Sequence, residues 1–392
     1  MKGGVRGRSG ATADPVADPV TSTDTARALL DWYTQSGRRL PWRALPGGAL
    51  PDAYGVLVSE LMLQQTRVET VRDPWARWMA RWPDMEALAA ASLDAVLAQW
   101  TGLGSYARAR HLHRLAQIVV RDHGGALPRS ADALAALPGL GPYTQGALRS
   151  VAFGEPAALV DGNVARVLAR WHGVADDVRQ GAGRRAVWAA ADAWLDVAAA
   201  RARPGDWNQA LMELGAVVCV PRRPRCEVCP VSASCQARAD GRERDLPLRV
   251  RPKAPQVVEA AYVVVTRAGR DEYVLDSMME TLVGQRPAQG RWAGLWEPAG
   301  CEGPGATLRL RAWLHTHGHA APRALGQIVH VLTHRRYEVD AWAALAGSTG
   351  DGDLRELGYV AQRWMRLPDA LGVTAGLSRL GQRLVARAHP PP

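Results

Sequence analysis

Lysine is nearly missing from this 392-residue chain: among its 48 basic residues only Lys2 and Lys253 are lysines. Chemistry that needs a primary amine, Schiff-base formation above all, therefore has almost no candidates. No apolar run approaches the roughly 20 residues of a membrane-spanning helix, and no secretory leader is recognisable. Five cysteines in a chain this long do not suit a small disulfide-stapled domain. A hydrophobic fraction of 47% excludes wholesale disorder. What is plentiful is arginine. The formal charge of +10 favours a polyanionic partner and salt-sensitive binding, although the preference for arginine over lysine needs no more than codon bias.

Four of the cysteines, Cys219, Cys226, Cys229 and Cys235, fall in one stretch spaced C-x6-C-x2-C-x5-C. Thiolates bunched so tightly bind one iron–sulfur cluster or a structural zinc, since both accept four cysteines. Disulfides are the alternative, and they suit small exported domains better. Arg222, Arg223 and Arg225 make the loop between the first two ligands basic, so it can touch phosphate. Cys301 stands apart and reads as a buried apolar residue.

The chain divides by pattern. Residues 1–22 lack periodicity and predict a disordered tail. Over residues 23–237 apolar side chains recur at helical spacing, as in Ala26, Leu29, Leu30 and Tyr33 or Leu93, Val96, Leu97 and Trp100, which predicts an all-α domain. Residues 238–256, with Arg242, Arg244, Arg249 and Arg251, read as a linker with little to bury and a candidate docking strip for a partner such as a sliding clamp. Beyond it, Val257–Thr266 is valine-rich and weakly alternating, Gly290–Gly300 is a Gly/Trp turn region and Val329–Trp342 resembles a strand pair. Residues 257–385 thus predict a separate α+β domain.

Three stretches of the helical region can carry chemistry. In Ser59-Glu60-Leu61-Met62-Leu63-Gln64-Gln65-Thr66 a carboxyl lies among apolar residues, where the anion is disfavoured and a proton can be held near neutrality. The plain alternative is an exposed glutamate on one helix face. The amides of Gln64 and Gln65 can probe a base stack. In Leu137-Pro138-Gly139-Leu140-Gly141-Pro142-Tyr143-Thr144 a tight turn leads into a helix whose free N–H groups can grip a phosphate. In Val160-Asp161-Gly162-Asn163-Val164 a carboxylate precedes a helical run and is either a simple cap or an anion stabilised by the helix start. On the second view the pKa values of Glu60 and Asp161 move in opposite directions, as a proton donor and an anionic stabiliser require.

Together with the cysteine loop and Trp100-Thr101-Gly102-Leu103-Gly104, these stretches resemble, in order and over nearly all of residues 23–237, the MutY-type adenine DNA glycosylases. These are helix–hairpin–helix enzymes related to endonuclease III. The resemblance implies two all-α lobes, a six-helix barrel and an iron–sulfur lobe, with DNA gripped between them. It also implies a [4Fe-4S] cluster on the four cysteines and a monomer of the bacterial cytoplasm, associated with the nucleoid. The implied reaction is hydrolysis of the N-glycosidic bond of adenine opposite 8-oxoguanine or guanine, the base having left the stack. Glu60 would protonate adenine N7 and later help activate water; Asp161 would stabilise the oxocarbenium-like sugar. Leu63 and Gln65 resemble residues that enter the duplex, and Trp42, Arg43 and Gln209 resemble walls of the adenine pocket. Tyr143 and Asn163 would stand at the same site, with Gly139 and Gly141 in the phosphate-gripping turn.

The C-terminal region resembles the MutT-like (Nudix) domain that reads 8-oxoguanine in this family, through Arg286-Pro287, Gly290, Trp292-Ala293-Gly294-Leu295-Trp296 and His330-Val331-Leu332-Thr333-His334. No R-E-x-x-E-E arrangement follows Gly300, so binding without hydrolysis is expected. Two departures, Leu332-Thr333-His334 for Phe-Ser-His and Ser105 for a tyrosine, predict weaker discrimination of 8-oxoguanine from guanine. A bifunctional glycosylase/lyase of the endonuclease III type needs a lysine where this chain has Tyr143. A non-catalytic iron–sulfur DNA-binding protein is the remaining alternative; it would not require the pair Glu60 and Asp161.

Overall fold

The computed structural model describes residues 22–248, 254–268, 279–332, 334–347, 352–371 and 376–389. The expected tail up to residue 21, both lysines and Thr333 lie outside them. The chain forms two compact units, one of residues 1–56 with 141–250 and the other of residues 57–140 with 251–392. Among the described residues no helix is long and apolar enough to cross a membrane.

The first unit is built around α1 (Thr23–Ser36), the start of α2 (Ala53–Leu63), α4 (Pro142–Ala147), α5 (Gly162–Trp171), α6 (Gly181–Leu195) and α7 (Pro204–Val217). The apolar period read from the sequence is the buried stripe of α1: Ala26, Leu29, Leu30 and Tyr33 all face the core. Ser22 starts that helix by accepting from Thr25 N. Trp171, Trp194 and Trp207 fill the centre, with successive ring centroids 4.5 and 5.2 Å apart. The segment expected to be a linker with little to bury begins later than expected. Leu246 is buried, and its carbonyl accepts a hydrogen bond from Arg170 Nε at 2.9 Å.

The second unit contains the rest of α2, α3 (Tyr106–His123) and a six-stranded mixed sheet in the order β4-β5-β1-β3-β2-β6. Its strands are β1 (Gln256–Ala268), β2 (Met279–Gln285), β3 (Trp296–Glu302), β4 (Arg323–Val331), β5 (Arg335–Leu345) and β6 (Ala361–Arg366). β1 runs parallel to β5 and antiparallel to β2 and β3. Helix α8 (Ala306–Thr316) covers one face and α9 (Arg379–Ala388) the other. Ala261, Val263 and Val265 pack with Leu310, Trp313 and Leu314, while Ala260, Tyr262 and Val264 pack with Leu380 and Leu384. Both faces of β1 are thus apolar, which is why its alternation is weak in the sequence. Gly290–Gly300 is only partly a turn: its second half is β3. Cys301 is half-buried, and its thiol donates to Ala306 O.

Candidate active site and cysteine loop

In the second unit, α2 carries Glu60 in an almost wholly apolar helix, AYGVLVSELML. Glu60 is 7% exposed, with Leu57, Val58, Leu61 and Met62 buried around it. The exposed alternative is therefore excluded. The end of α2 is locked by a buried guanidinium, since Arg108 Nη1 donates to Leu61 O and Met62 O while its Nη2 donates to Leu103 O at 2.5 Å. Burial pulls Arg108 down to about 10, and these carbonyls absorb its donors. Thr66 Oγ1 adds a bond to Leu103 O at 3.0 Å, so the turn after α2 and the loop Trp100–Gly104 move as one piece. That turn leaves Leu63 half-buried and Gln65 exposed with φ 57°, a left-handed backbone rare outside glycine. Gly139 has φ 82°, and a Cβ there would lie 2.7 Å from His111 Cβ, so only glycine fits this turn.

In the first unit, Gly141 is the N-cap of α4 with Pro142 in its first turn. Tyr143 Oη donates to Met212 Sδ at 3.5 Å. Helix α7 bears Gln209 and, one helical turn further on, Met212 and Glu213. Glu213 is fully buried, bound by Arg38 Nε at 2.5 Å and Nη2 at 3.2 Å and by Arg43 Nη1 at 2.9 Å. Burial alone would push its carboxyl up; the Arg38 hydrogen bond and the Arg43 charge outweigh that and hold it below the usual value. Sequence reasoning named Arg43 and missed both Arg38 and Glu213. Trp42 and Gln209 are buried at 5% exposure each, and Gln209 Oε1 has no protein partner among the described residues.

Asp161 caps α5. Its Oδ1 accepts from Asn163 N at 2.9 Å and Val164 N at 2.7 Å, and its Oδ2 accepts from Asn163 Nδ2 at 3.2 Å. The expected depression of its pKa is overturned. Burial pushes the carboxyl up by more than the Val164 and Asn163 N–H groups and the Arg166 charge pull it down. The helix start holds the side chain in place without fully replacing its lost hydration.

The same helix organises the cysteine loop. Arg166 Nη2 donates to Asn163 Oδ1 at 2.9 Å and Gly215 O at 2.6 Å, and its Nε donates to Cys219 O at 2.8 Å. Gly215 allows this approach, because a Cβ there would lie 2.7 Å from Asn163 Cβ. Buried Arg170 donates to Cys219 Sγ, Val220 O and Pro221 O at 3.2, 2.9 and 3.0 Å. Asp161 and the cysteine loop are therefore two ends of one hydrogen-bonded assembly. All four cysteines line a single pocket with Arg170, Arg225 and Arg238. Among the described residues no group of three or more His, Cys, Asp or Glu stands at metal-holding geometry. Four soft sulfur donors around one pocket are nevertheless the set a thiophilic centre takes. Burial, above all, raises Cys226 and Cys235 and pushes Cys229 up to about 12, with Glu243 adding to it at Cys226.

Between β4 and β5, Leu332 is half-buried, His334 is exposed and Leu332 N donates to Arg335 O at 2.7 Å.

Comparison with known proteins agrees with this architecture. Residues 58–190 match the HhH-GPD superfamily of base excision DNA repair proteins, and residues 273–387 match the NUDIX domain. The adenine DNA glycosylase of Rattus norvegicus is 37% identical over 381 residues, covering 85% of this chain and 73% of that protein. That of Homo sapiens is 38% identical over 370 residues, covering 82% and 67%. That of Mycolicibacterium smegmatis is 37% identical over 290 residues, covering 68% and 94%. Fold and matches together define a helix–hairpin–helix base excision repair protein joined to a NUDIX domain. Within that class, the chain belongs to the adenine DNA glycosylase family.

Proposed function

We propose that this protein removes adenine mispaired with 8-oxoguanine or guanine from duplex DNA by hydrolysing its N-glycosidic bond, without efficient strand cleavage. The observation that carries the reading is Glu60, a carboxyl sunk in an apolar helix. A carboxyl at that place can act as the proton donor to the departing base. It protonates adenine at N7 and afterwards, as a base, helps activate water. Asp161 carries negative charge toward the developing oxocarbenium-like sugar: its upward shift is set by burial, and a cation arriving beside it reverses the balance in favour of the anion. Tyr143 and Asn163 border the same chemistry, Asn163 by orienting Asp161. Trp42, Arg43 and Gln209 form the pocket for the extruded base, and the unpaired Gln209 Oε1 is an acceptor for an amino group. Leu63 and the exposed Gln65 enter the stack, and the turn with Gly139 and Gly141 grips a phosphate.

Cys219, Cys226, Cys229 and Cys235 hold a [4Fe-4S] cluster on this reading. When bound it braces the basic loop, and base removal needs no electron from it. A brown protein with visible absorbance, against a colourless zinc protein, tests this assignment. The MutT-like domain binds 8-oxoguanine through the Leu332-Thr333-His334 turn. Helix α8, ATLRLRAWLHT, carries no carboxylate, which favours binding over hydrolysis.

The deciding experiment is a gel assay on duplex carrying adenine opposite 8-oxoguanine. Strand breaks should appear only after alkali or heat. Nicked product equal to total product without either treatment would assign a lyase, and no base release at all would leave a DNA-binding protein.

A further inference from the structure

Helix α9 carries an unbalanced charge. Its sequence, RLGQRLVARA, sets Arg379, Arg383 and Arg387 four residues apart on one exposed face, while Leu380, Leu384, Val385 and Ala388 are buried. The helix contains no acid, and among the described residues none of the three arginines is paired with a carboxylate. Like charges one turn apart disfavour an isolated helix. Arg379 also stands in the first turn, where the helix dipole disfavours a cation. Arg387 lies in the last turn, where the dipole favours it; the like-charge spacing and Arg379 at the helix start are the costs that an anion outside the protein offsets.

The stripe is also aimed. Arg387 Nε donates to Leu325 O at 2.7 Å and Arg383 Nη1 to Val329 O at 3.1 Å. Gly326, at φ 84° beside an irregularity in β4, leaves room for this: a Cβ there would lie 3.2 Å from Arg387 Nη2. Burial holds the His330 imidazole below its ordinary value, and the charges of Arg383 and Arg379 lower it further, so both lie near it. The three guanidinium groups therefore follow β4 from Leu325 through Val329 to His330, toward the turn with Leu332 and His334. Successive arginines are about 6 Å apart along the helix axis. A guanidinium held through one N–H keeps others free for phosphate oxygens.

We propose that Arg379, Arg383 and Arg387 form a phosphate track, which binds the sugar–phosphate backbone of duplex DNA and leads it to the β4–β5 turn. The track rests on the reading that this domain contacts DNA, and it adds affinity that is blind to base identity. Phosphate contacts position a duplex; they do not read it.

The test is the dissociation constant of the full-length protein for duplex DNA across a series of salt concentrations. The duplexes carry a non-hydrolysable adenine analogue opposite 8-oxoguanine, the same analogue opposite guanine, or no mispair. Replacing all three arginines by glutamine should make log K against log salt shallower by about 2.7, at roughly 0.9 per phosphate contact. Affinity should fall by the same factor on all three duplexes. Replacing them by lysine should restore the slope, because the charge returns. Arg383 and Arg387 also hold β4, so Arg379→Gln alone reads charge without that contact; its expected loss of slope is about 0.9. An unchanged slope overturns the track, even if acidic proteins still bind the helix. A loss confined to the 8-oxoguanine duplex overturns it as well, by assigning the arginines to base reading. Adenine release by the wild-type protein is scored separately, so failure of the catalytic reading and failure of the track give different results.

Discussion

Glu213 in the helical core and Glu297 in the sheet domain are both wholly buried and both touch arginine, yet they titrate in opposite directions. Glu213 is held by two arginines, Arg38 gripping both oxygens and Arg43 one. Glu297 has Arg286 at 2.7 Å, but that arginine also serves Glu302 at 2.5 Å, and the other donors are the neutral hydroxyls of Tyr262 and Tyr359. Its second oxygen has no partner among the described residues. Burial therefore wins at Glu297, despite the Arg286 charge. Depth alone does not set the direction of the shift; the cations brought against each carboxyl do. In the helical cluster one acid meets Arg38 and Arg43, while in the sheet cluster two acids, Glu297 and Glu302, are set against Arg286 and Arg291.

That contrast between a chemical and a structural use of buried acids breaks first at Glu60. Glu60→Gln should slow single-turnover adenine release by about 10²–10⁴-fold, the usual worth of a general acid, with duplex affinity retained. Unchanged release would move the chemistry to another acid. Next in size, Glu213→Gln takes the carboxylate away from the Arg38 and Arg43 guanidinium groups that grip it, and urea unfolding should show a loss of about 3–5 kcal/mol. Glu297→Gln replaces a group whose charged form burial disfavours, so the loss should be smaller, about 1 kcal/mol. Equal losses would erase the distinction. The finest test is pH. Glu213, with its folded pKa depressed, contributes stability above the unfolded value of about 4.3 that is lost as pH falls through the folded value. Glu297, with its folded pKa raised, contributes below about 4.3 and loses that contribution as pH rises through the folded value. The gap between wild type and Glu213→Gln should therefore narrow on acidification, and the gap for Glu297→Gln should narrow as pH rises. Parallel urea midpoints would reject the opposite shifts.

The legible parts of the molecule are those written in local pattern. The stripe of α1, the cap Asp161, the turn Gly139–Pro142 and the cysteine loop each lie within a few consecutive residues, where period, capping chemistry and spacing speak directly. Glu213 was not legible, because its meaning comes from Arg38, 175 residues away. Arg166 and Arg170 looked like two of many arginines until the carbonyls of residues 215–221 appeared against them. Leu246 lay in a polar stretch that looked unburied. Asp161 is legible as a residue at a helix start but not in its ionisation, because desolvation depends on what the rest of the chain brings over it.

Residue identity and local spacing alone determined that this chain is helical before it is mixed, that four sulfurs share one loop, and that an acid sits in an apolar helix. These follow from short-range sterics and periodicity, which any single sequence carries. Tertiary structure decided in which direction each buried acid is shifted, which arginines brace backbone carbonyls, and where α9 sets Arg383 and Arg387 against β4. Those properties depend on solvent removed and charges gathered by distant segments, and no window of consecutive residues contains them.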